Sequence, residues 1–218
     1  MGINVQREKE TRLCMKILEV DSNPTLTNEI GTVMDEAGSD KQSSHNYAHA
    51  YSYFLSMLPS LENINFLEIG IANIEPNRSS LHGWSSIFKD SNIYGIDIVP
   101  EKMINTDRIK TFVANQSSIL DLSNFRQAAG CPKFDVILDD GSHHFPDAAT
   151  SFKYLLPSLK KGGVYMIEDI RKVGVDSQQS VVQWQEYLNL YDGIEYEIID
   201  CKPEEQNDDS VIIGIWKI

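Results

Sequence analysis

From residue 64 onward, short apolar runs alternate with longer amphipathic stretches. The runs at 66–69, 93–98, 111–114, 136–138, 164–167, 196–199 and 211–216 are short, apolar and rich in β-branched residues, which predicts buried strands. Residues 80–88, 119–127, 147–156 and 177–190 place apolar side chains at helical spacing, which predicts helices. Ser79 or Ser80 can cap the first of these, and Gly130 sits just past the end of the second. Residues 160–163, Lys-Lys-Gly-Gly, read as a turn before the fifth strand. The alternation predicts an α/β fold, a Rossmann-like doubly wound sheet of seven strands. The last two strands are separated by a charged loop, residues 201–210, and form a hairpin-like pair, so one strand runs antiparallel at an edge.

Upstream, the pattern is helical and irregular. Residues 7–20, with Leu13, Ile17 and Leu18, fit an amphipathic helix; residues 38–46 read as a polar loop; residues 49–58 are aromatic-rich and helical, ended by Pro59. The expected organisation is a helical N-terminal segment, 1–60, and an α/β domain, 61–218.

Composition narrows the function. The 218 residues are 41% hydrophobic, enough for one sizeable core. A net charge of -13 repels phosphate backbones and anionic lipid, so neither nucleic acid nor a membrane surface is an expected partner. No apolar stretch approaches the roughly 20 residues that span a bilayer, and residues 1–11 carry no signal-peptide core. Cys14, Cys131 and Cys201 are widely spaced and form no zinc pattern, which points to a reduced, cytoplasmic setting.

Two acidic clusters carry the chemistry. Asp139-Asp140-Gly141-Ser142-His143 follows the run 134–138, and Glu168-Asp169 follows the run 164–167. Open α/β sheets bind ligands at the carboxyl ends of their strands. If the two strands are neighbours, several carboxylates and a histidine meet at one rim. Crowded carboxylates repel, a cation relieves the repulsion, and oxygen ligands favour a hard ion such as Mg²⁺ over zinc. Solvated rim charges or helix caps are the bland alternative for Asp140, Glu168 and Asp169. His143 beside them can take a proton, whereas His144 reads as structural. Gly70 directly follows the first strand, where a ligand can approach the backbone, and Asp97 ends the second, where a carboxylate can accept hydrogen bonds from ribose hydroxyls. The polar residues Ser39-Asp40-Lys41 and His45-Asn46-Tyr47 read as a solvated loop, the acidic run 204–209 as solvent-facing, and Trp84 and Trp216 as core.

The combination Leu67-Glu68-Ile69-Gly70, Tyr94-Gly95-Ile96-Asp97, Gln116-Ser117, Asp139-Asp140-Gly141-Ser142-His143 and Ile167-Glu168-Asp169 resembles class I S-adenosylmethionine-dependent methyltransferases, in particular the metal-dependent sugar O-methyltransferases of the mycinamicin and tylosin type. The resemblance extends over residues 38–170 and includes Ser39-Asp40-Lys41 with His45 and Tyr47. It implies Asp140, Glu168 and Asp169 as ligands of Mg²⁺ (or Mn²⁺) and His143 as general base. It implies Glu68, Gly70, Asp97, Gln116, Ser117 and Asp139 as S-adenosylmethionine-binding residues, with Gln116 and Ser117 near the adenine. Residues 1–60 become a lid on the acceptor side, and 61–218 the cofactor-binding domain. The implied activity is O-methylation of a hydroxyl on a sugar or glycosylated small molecule. The chain departs from that pattern at 72–78, where Ala-Asn-Ile-Glu-Pro-Asn-Arg is poorer in glycine.

Three other readings stay open: a methyltransferase for a catechol-like acceptor, a non-catalytic S-adenosylmethionine-binding protein suggested by the glycine-poor loop, and a nicotinamide oxidoreductase, which the missing glycines disfavour. The acceptor's identity and the oligomeric state, a homo-oligomer included, are left open by the sequence.

Overall fold

All seven expected strands lie in one sheet, with an eighth added at its edge. The structure is a computed structural model and describes residues 15–17, 22–71, 79–174, 178–205 and 209–218. The strands are β1 (Met15–Ile17), β2 (Asn65–Ile69), β3 (Asn92–Asp97), β4 (Ile109–Val113), β5 (Phe134–Asp139), β6 (Leu159–Ile170), β7 (Ile194–Asp200) and β8 (Val211–Lys217). Their order across the sheet is β1-β7-β8-β6-β5-β2-β3-β4. Pairing is parallel except where β8 runs antiparallel between β6 and β7. The antiparallel strand expected at an edge is therefore internal, because β8 is inserted between β6 and β7; β1 pairs with the far side of β7.

Residues 7–20 do not form the helix expected of them as a whole. Met15–Ile17 is the strand β1, since pairing with β7 satisfies its backbone groups; the rest of that stretch lies outside the described residues. So do Cys14, the glycine-poor loop 72–78, the start of the expected helix at 177, and residues 206–208 of the acidic run.

The helices are α1 (Pro24–Glu36), α2 (Asp40–Ser43), α3 (Ala48–Leu55), α4 (Ser80–Ile87), α5 (Ile119–Ala128), α6 (Phe145–Leu155) and α7 (Val181–Leu188). The polar stretch 38–46 thus contains a short helix, started by the Ser39 side chain accepting from the Lys41 N–H. The last helix starts at Val181 because Ser180 and Gln183 form a capping box there. Lys160 to Gly163 is not a turn outside the sheet. It is a bulge within β6, where the register against β5 shifts between Phe134 and Val136.

Strand alternation divides the core into two layers. Phe66, Val136, Leu138 and Met166 face α1, α3 and α4, while Leu67, Ile137, Tyr165 and Ile167 face α5, α6 and α7. Trp84 is fully buried in the first layer and Trp184 in the second. Each such aromatic contributes a few kcal/mol, on the order of 25 cal/mol per Å² buried. The chain order reverses direction between β2 and β5, which are hydrogen-bonded neighbours. That reversal opens a crevice at their carboxyl ends, where Gly70 and Asp140 emerge side by side with Asp140 N–H donating to the Ile69 carbonyl at 2.9 Å.

Candidate active site

Two cavities meet at the crevice. The first, about 410 Å³, is lined by Gly70, Asp97, Gln116, Ser117, Asp140 and Gly141 among others. The second, about 220 Å³, is lined by Asp40, His45, Asp140, Gly141, His143, Glu168, Asp169 and Asp209. Asp140 and Gly141 form the shared wall.

The first cavity is shaped by close backbone approach. Gly70 has φ +89°, and a side-chain carbon there would lie 2.0 Å from the Asp140 carbonyl oxygen, so only glycine fits. At Gly141 the added carbon would meet Gln116 Oε1 at 1.8 Å. Gln116 is locked in place, accepting from the Ser142 N–H at 2.7 Å and donating through Nε2 to Asp139 Oδ1 at 3.0 Å. Asp139 lies beneath it, buried, and also accepts from Ser151 Oγ at 2.5 Å and Tyr165 OH at 3.2 Å. Burial pushes its carboxyl up to about 6, although the Ser151, Gln116 and Tyr165 hydrogen bonds pull the other way. Asp97 accepts from the N–H groups of Ile71 and Val99 at 2.8 and 2.9 Å, with Lys102 Nζ 3.5 Å away. Ser117 is exposed on the rim, its hydroxyl donating to Asn115 Oδ1 at 2.8 Å. Among the residues expected near the cofactor, Glu68 stands apart. It is fully buried, accepts from Ser80 Oγ at 2.8 Å and faces Lys41.

The second cavity holds the acidic cluster. His143 and Asp169 both adopt left-handed backbone, φ +57° and +53°. Such conformations in non-glycine residues cost of order 1–3 kcal/mol and gather at functional sites. They turn the two side chains toward each other, with His143 Nε2 3.0 Å from Asp169 Oδ2 and 3.3 Å from Asp140 Oδ1. Burial works against a charged ring, but the hydrogen bonds and charges of Asp140 and Asp169 push the His143 pKa up to about 11. Asp140, His143 and Asp169 each offer a ligand atom, all within 4.8 Å of one another. Glu168, beside Asp169 in the chain, is directed instead at Lys41.

Lys41 is the main residue that sequence reasoning missed. The segment expected to be a solvated loop buries this side chain to 2% exposure. Its Nζ donates to Asp140 Oδ2 at 2.5 Å and to Glu168 Oε2 and Oε1 at 2.8 and 3.1 Å, and lies 3.4 Å from Glu68 Oε1. Although burial disfavours the ammonium, these carboxylates hold the Lys41 pKa well above its ordinary value. Burial opposes the Asp140 charge too, yet Lys41 and His143 draw it down to about 2. Burial pushes Glu68 up to about 7 in spite of Lys41. Glu168 is likewise raised by burial, with the Asp140 and Asp169 charges adding to it against Lys41. Three carboxylates thus share one ammonium, while Asp169 pairs with His143, and the oxygen-rich side of the cluster suits a hard cation.

Of the other contributors, His45 and Tyr47 belong to the upstream segment that carries the resemblance, while Tyr51 and Gln179 gave no signal in the sequence. Tyr51 donates a short hydrogen bond to Glu168 Oε1. Tyr47 donates to Asp169 Oδ1 at 2.8 Å, and its ring stacks on His45 at 5.1 Å. His45 Nδ1 lies 3.5 Å from Asp169 Oδ1. Gln179 ties the two acidic loops together, donating to the Glu168 carbonyl at 2.5 Å while its N–H donates to the His143 carbonyl at 3.0 Å. Asp209, expected in solvent, faces the cavity and pairs with Arg171 at 3.3 Å. His144 is exposed and directly precedes α6, its side chain making no capping hydrogen bond.

No family model matches the chain. Its sequence is 32% identical over 137 residues to an 8-demethyl-8-α-L-rhamnosyl tetracenomycin-C 2′-O-methyltransferase of Streptomyces olivaceus, covering 62% of this chain and 35% of that protein. It is 35% identical over 112 residues to the mycinamicin VI 2″-O-methyltransferase of Micromonospora griseorubida, covering 50% and 28%. The chain therefore spans about a third of the length of these curated relatives. The solved structure of the methyltransferase MycE with Mg, SAH and mycinamycin VI superposes with a TM-score of 0.57 at 30% identity, over 65% of this chain and 39% of that one. A second crystal form of MycE, with Mg and SAH, superposes over 87% of this chain and 53% of that one with a TM-score of 0.65, at 22% identity.

Proposed function

We propose that this chain, which has the class I methyltransferase fold and is similar in sequence to sugar O-methyltransferases, is a Mg²⁺-dependent S-adenosylmethionine O-methyltransferase acting on a hydroxyl of a sugar or glycosylated small molecule. The observation that carries the reading is the shared wall: Asp140 and Gly141 border both the glycine-lined cleft and the acidic cavity, so a donor in one and an acceptor in the other would meet across them. When bound, S-adenosylmethionine supplies an already activated methyl group and the divalent ion lowers the pKa of the acceptor hydroxyl.

The protein's own part is alignment and proton removal. Gly70 lets the cofactor lie against the backbone; Asp97 accepts from the ribose; Gln116 and Ser117 flank the adenine. Asp139 holds Gln116 from beneath, so its share in cofactor binding is to fix Gln116. Asp140, Glu168 and Asp169 hold the ion, and the oxygen-rich donor set fits a hard cation. His143 Nε2 takes the acceptor's proton. Glu68, turned away from the cleft, belongs to the ion side of the site. Asp40 and His45 give the N-terminal segment a share in the acceptor cavity, which supports its role as the acceptor-side lid on the cofactor-binding domain.

The carboxylate-rich lining of the cavity supports a neutral polyhydroxyl acceptor over a nucleic acid. Among the described residues no helix is long and apolar enough to cross a membrane. The cytoplasmic setting expected from the cysteine spacing is part of the proposal. The test is turnover on a panel of glycosylated acceptors with S-adenosylmethionine. Product 14 Da heavier on a sugar hydroxyl, lost with EDTA and restored by Mg²⁺, is expected. Full turnover in excess EDTA, or methylation of catechols alone, would overturn it.

A further inference from the structure

Lys41 occupies the position from which a cation can reach Asp140 and Glu168 at once. It holds Asp140 Oδ2 at 2.5 Å and Glu168 Oε2 at 2.8 Å. Asp140, His143 and Asp169 form one set of converging ligand atoms and His45, Asp169 and Asp209 a second, while Glu168 lines the same cavity but turns to the ammonium. A carboxylate oxygen that donates its lone pairs to an ammonium at such distances has little left for a divalent ion, and the two cations repel each other at close range. The ammonium also has somewhere to go. Glu68 Oε1 lies 3.4 Å from Lys41 Nζ, is buried, and has no hydrogen-bond partner among the described residues. Buried carboxylate oxygens left without a partner are uncommon and call for an explanation.

We propose that Lys41 is an intramolecular counter-ion that competes with the divalent metal for Asp140 and Glu168, and that it withdraws onto Glu68 when the metal binds. Lys41 is then a positioning residue: it keeps the acidic cluster assembled without metal, and its withdrawal frees Glu168 to join Asp140 and Asp169. Glu68 acts as the ammonium's second seat. The inference rests on the metal site proposed above.

The test is Mn²⁺ affinity by calorimetry, backed by the electron paramagnetic resonance signal of the bound ion, with no turnover involved. Lys41→Met keeps the bulk and removes the competing charge, so it should bind Mn²⁺ tighter by roughly tenfold or more. Lys41→Gln should shift affinity in the same direction and covers the case in which the methionine variant does not fold. Glu68→Gln should weaken Mn²⁺ binding in the wild-type background and have little effect beside Lys41→Met, because the seat matters only when the lysine is present. Equal or weaker binding by both lysine variants contradicts the competition, and an equal Glu68→Gln effect in both backgrounds contradicts the second seat. Failure of the wild type and of every lysine variant to bind Mn²⁺ overturns the metal reading itself and the competition with it.

Discussion

His143 Nε2 lies 3.0 Å from Asp169 Oδ2, and both residues hold left-handed backbone to reach each other. Without metal this pairing makes the imidazole a stable cation, its pKa pushed up to about 11 against an ordinary 6.5. A base that is already protonated cannot accept a proton at neutral pH, so the pairing is only useful once a cation shares Asp140 and Asp169. The ring should therefore titrate far above neutrality in metal-free protein and markedly lower with saturating Mg²⁺, read by NMR on the His143 ring protons. A metal-independent titration would separate His143 from the ion.

The same pairing links stability to pH. A group whose pKa is raised on folding stabilises most below its unfolded value and loses that contribution as pH rises through its folded value. The stability gap between wild type and His143→Ala should thus be full at pH 6 and shrink toward pH 11 in metal-free denaturation experiments. A gap that widens over that range would contradict the ion pair.

As a general base, His143 should contribute about 100- to 10,000-fold to turnover. His143→Ala should lose activity on that scale while binding S-adenosylmethionine almost normally, since the ring lines the acidic cavity and not the glycine-lined cleft. His144→Ala should cost far less, because that side chain is exposed at the start of α6. The reverse ranking would mean that the base has been assigned to the wrong histidine.

These outcomes depend on features that differ in how legible they were. The sheet was readable because each strand is a short apolar run ending in a turn or an acid, as at Phe134–Asp139. The meeting of Asp140 with Glu168 and Asp169 followed from those strand ends and from β5 and β6 being neighbours. The burial of Lys41 and the part played by Tyr51 were not readable. Lys41 lies 127 residues from Glu168, and a lysine among polar residues gives no local sign of burial. β1 was hidden because a three-residue strand lacks enough positions to show a period.

Gly70 offers a test of the crevice itself. With φ +89° and a backbone oxygen 2.0 Å from the added carbon, Gly70→Ala must distort the β2 and β5 ends. It should destabilise by more than about 1 kcal/mol in urea titration and weaken cofactor binding. At Gly130, also at positive φ but with open space around it, alanine should cost only the backbone strain, with no loss of cofactor affinity.

Asp97→Ala should weaken S-adenosylmethionine binding by ~1.5–3 kcal/mol, the scale of a hydrogen bond to a charged group. Because Asp97 also accepts from Ile71 and Val99, the calorimetry needs a melting curve beside it. Unchanged affinity in a folded variant would remove Asp97 from the cofactor site.

The most direct measurement is a crystal structure of the protein soaked with S-adenosylhomocysteine and Mn²⁺, the metal located by its anomalous signal. The adenosyl group is expected between Gly70, Asp97 and Gln116, and a metal peak bounded by Asp140, Glu168 and Asp169 within reach of His143. A metal peak elsewhere, or an adenosyl group outside the glycine-lined cleft, would contradict that assignment.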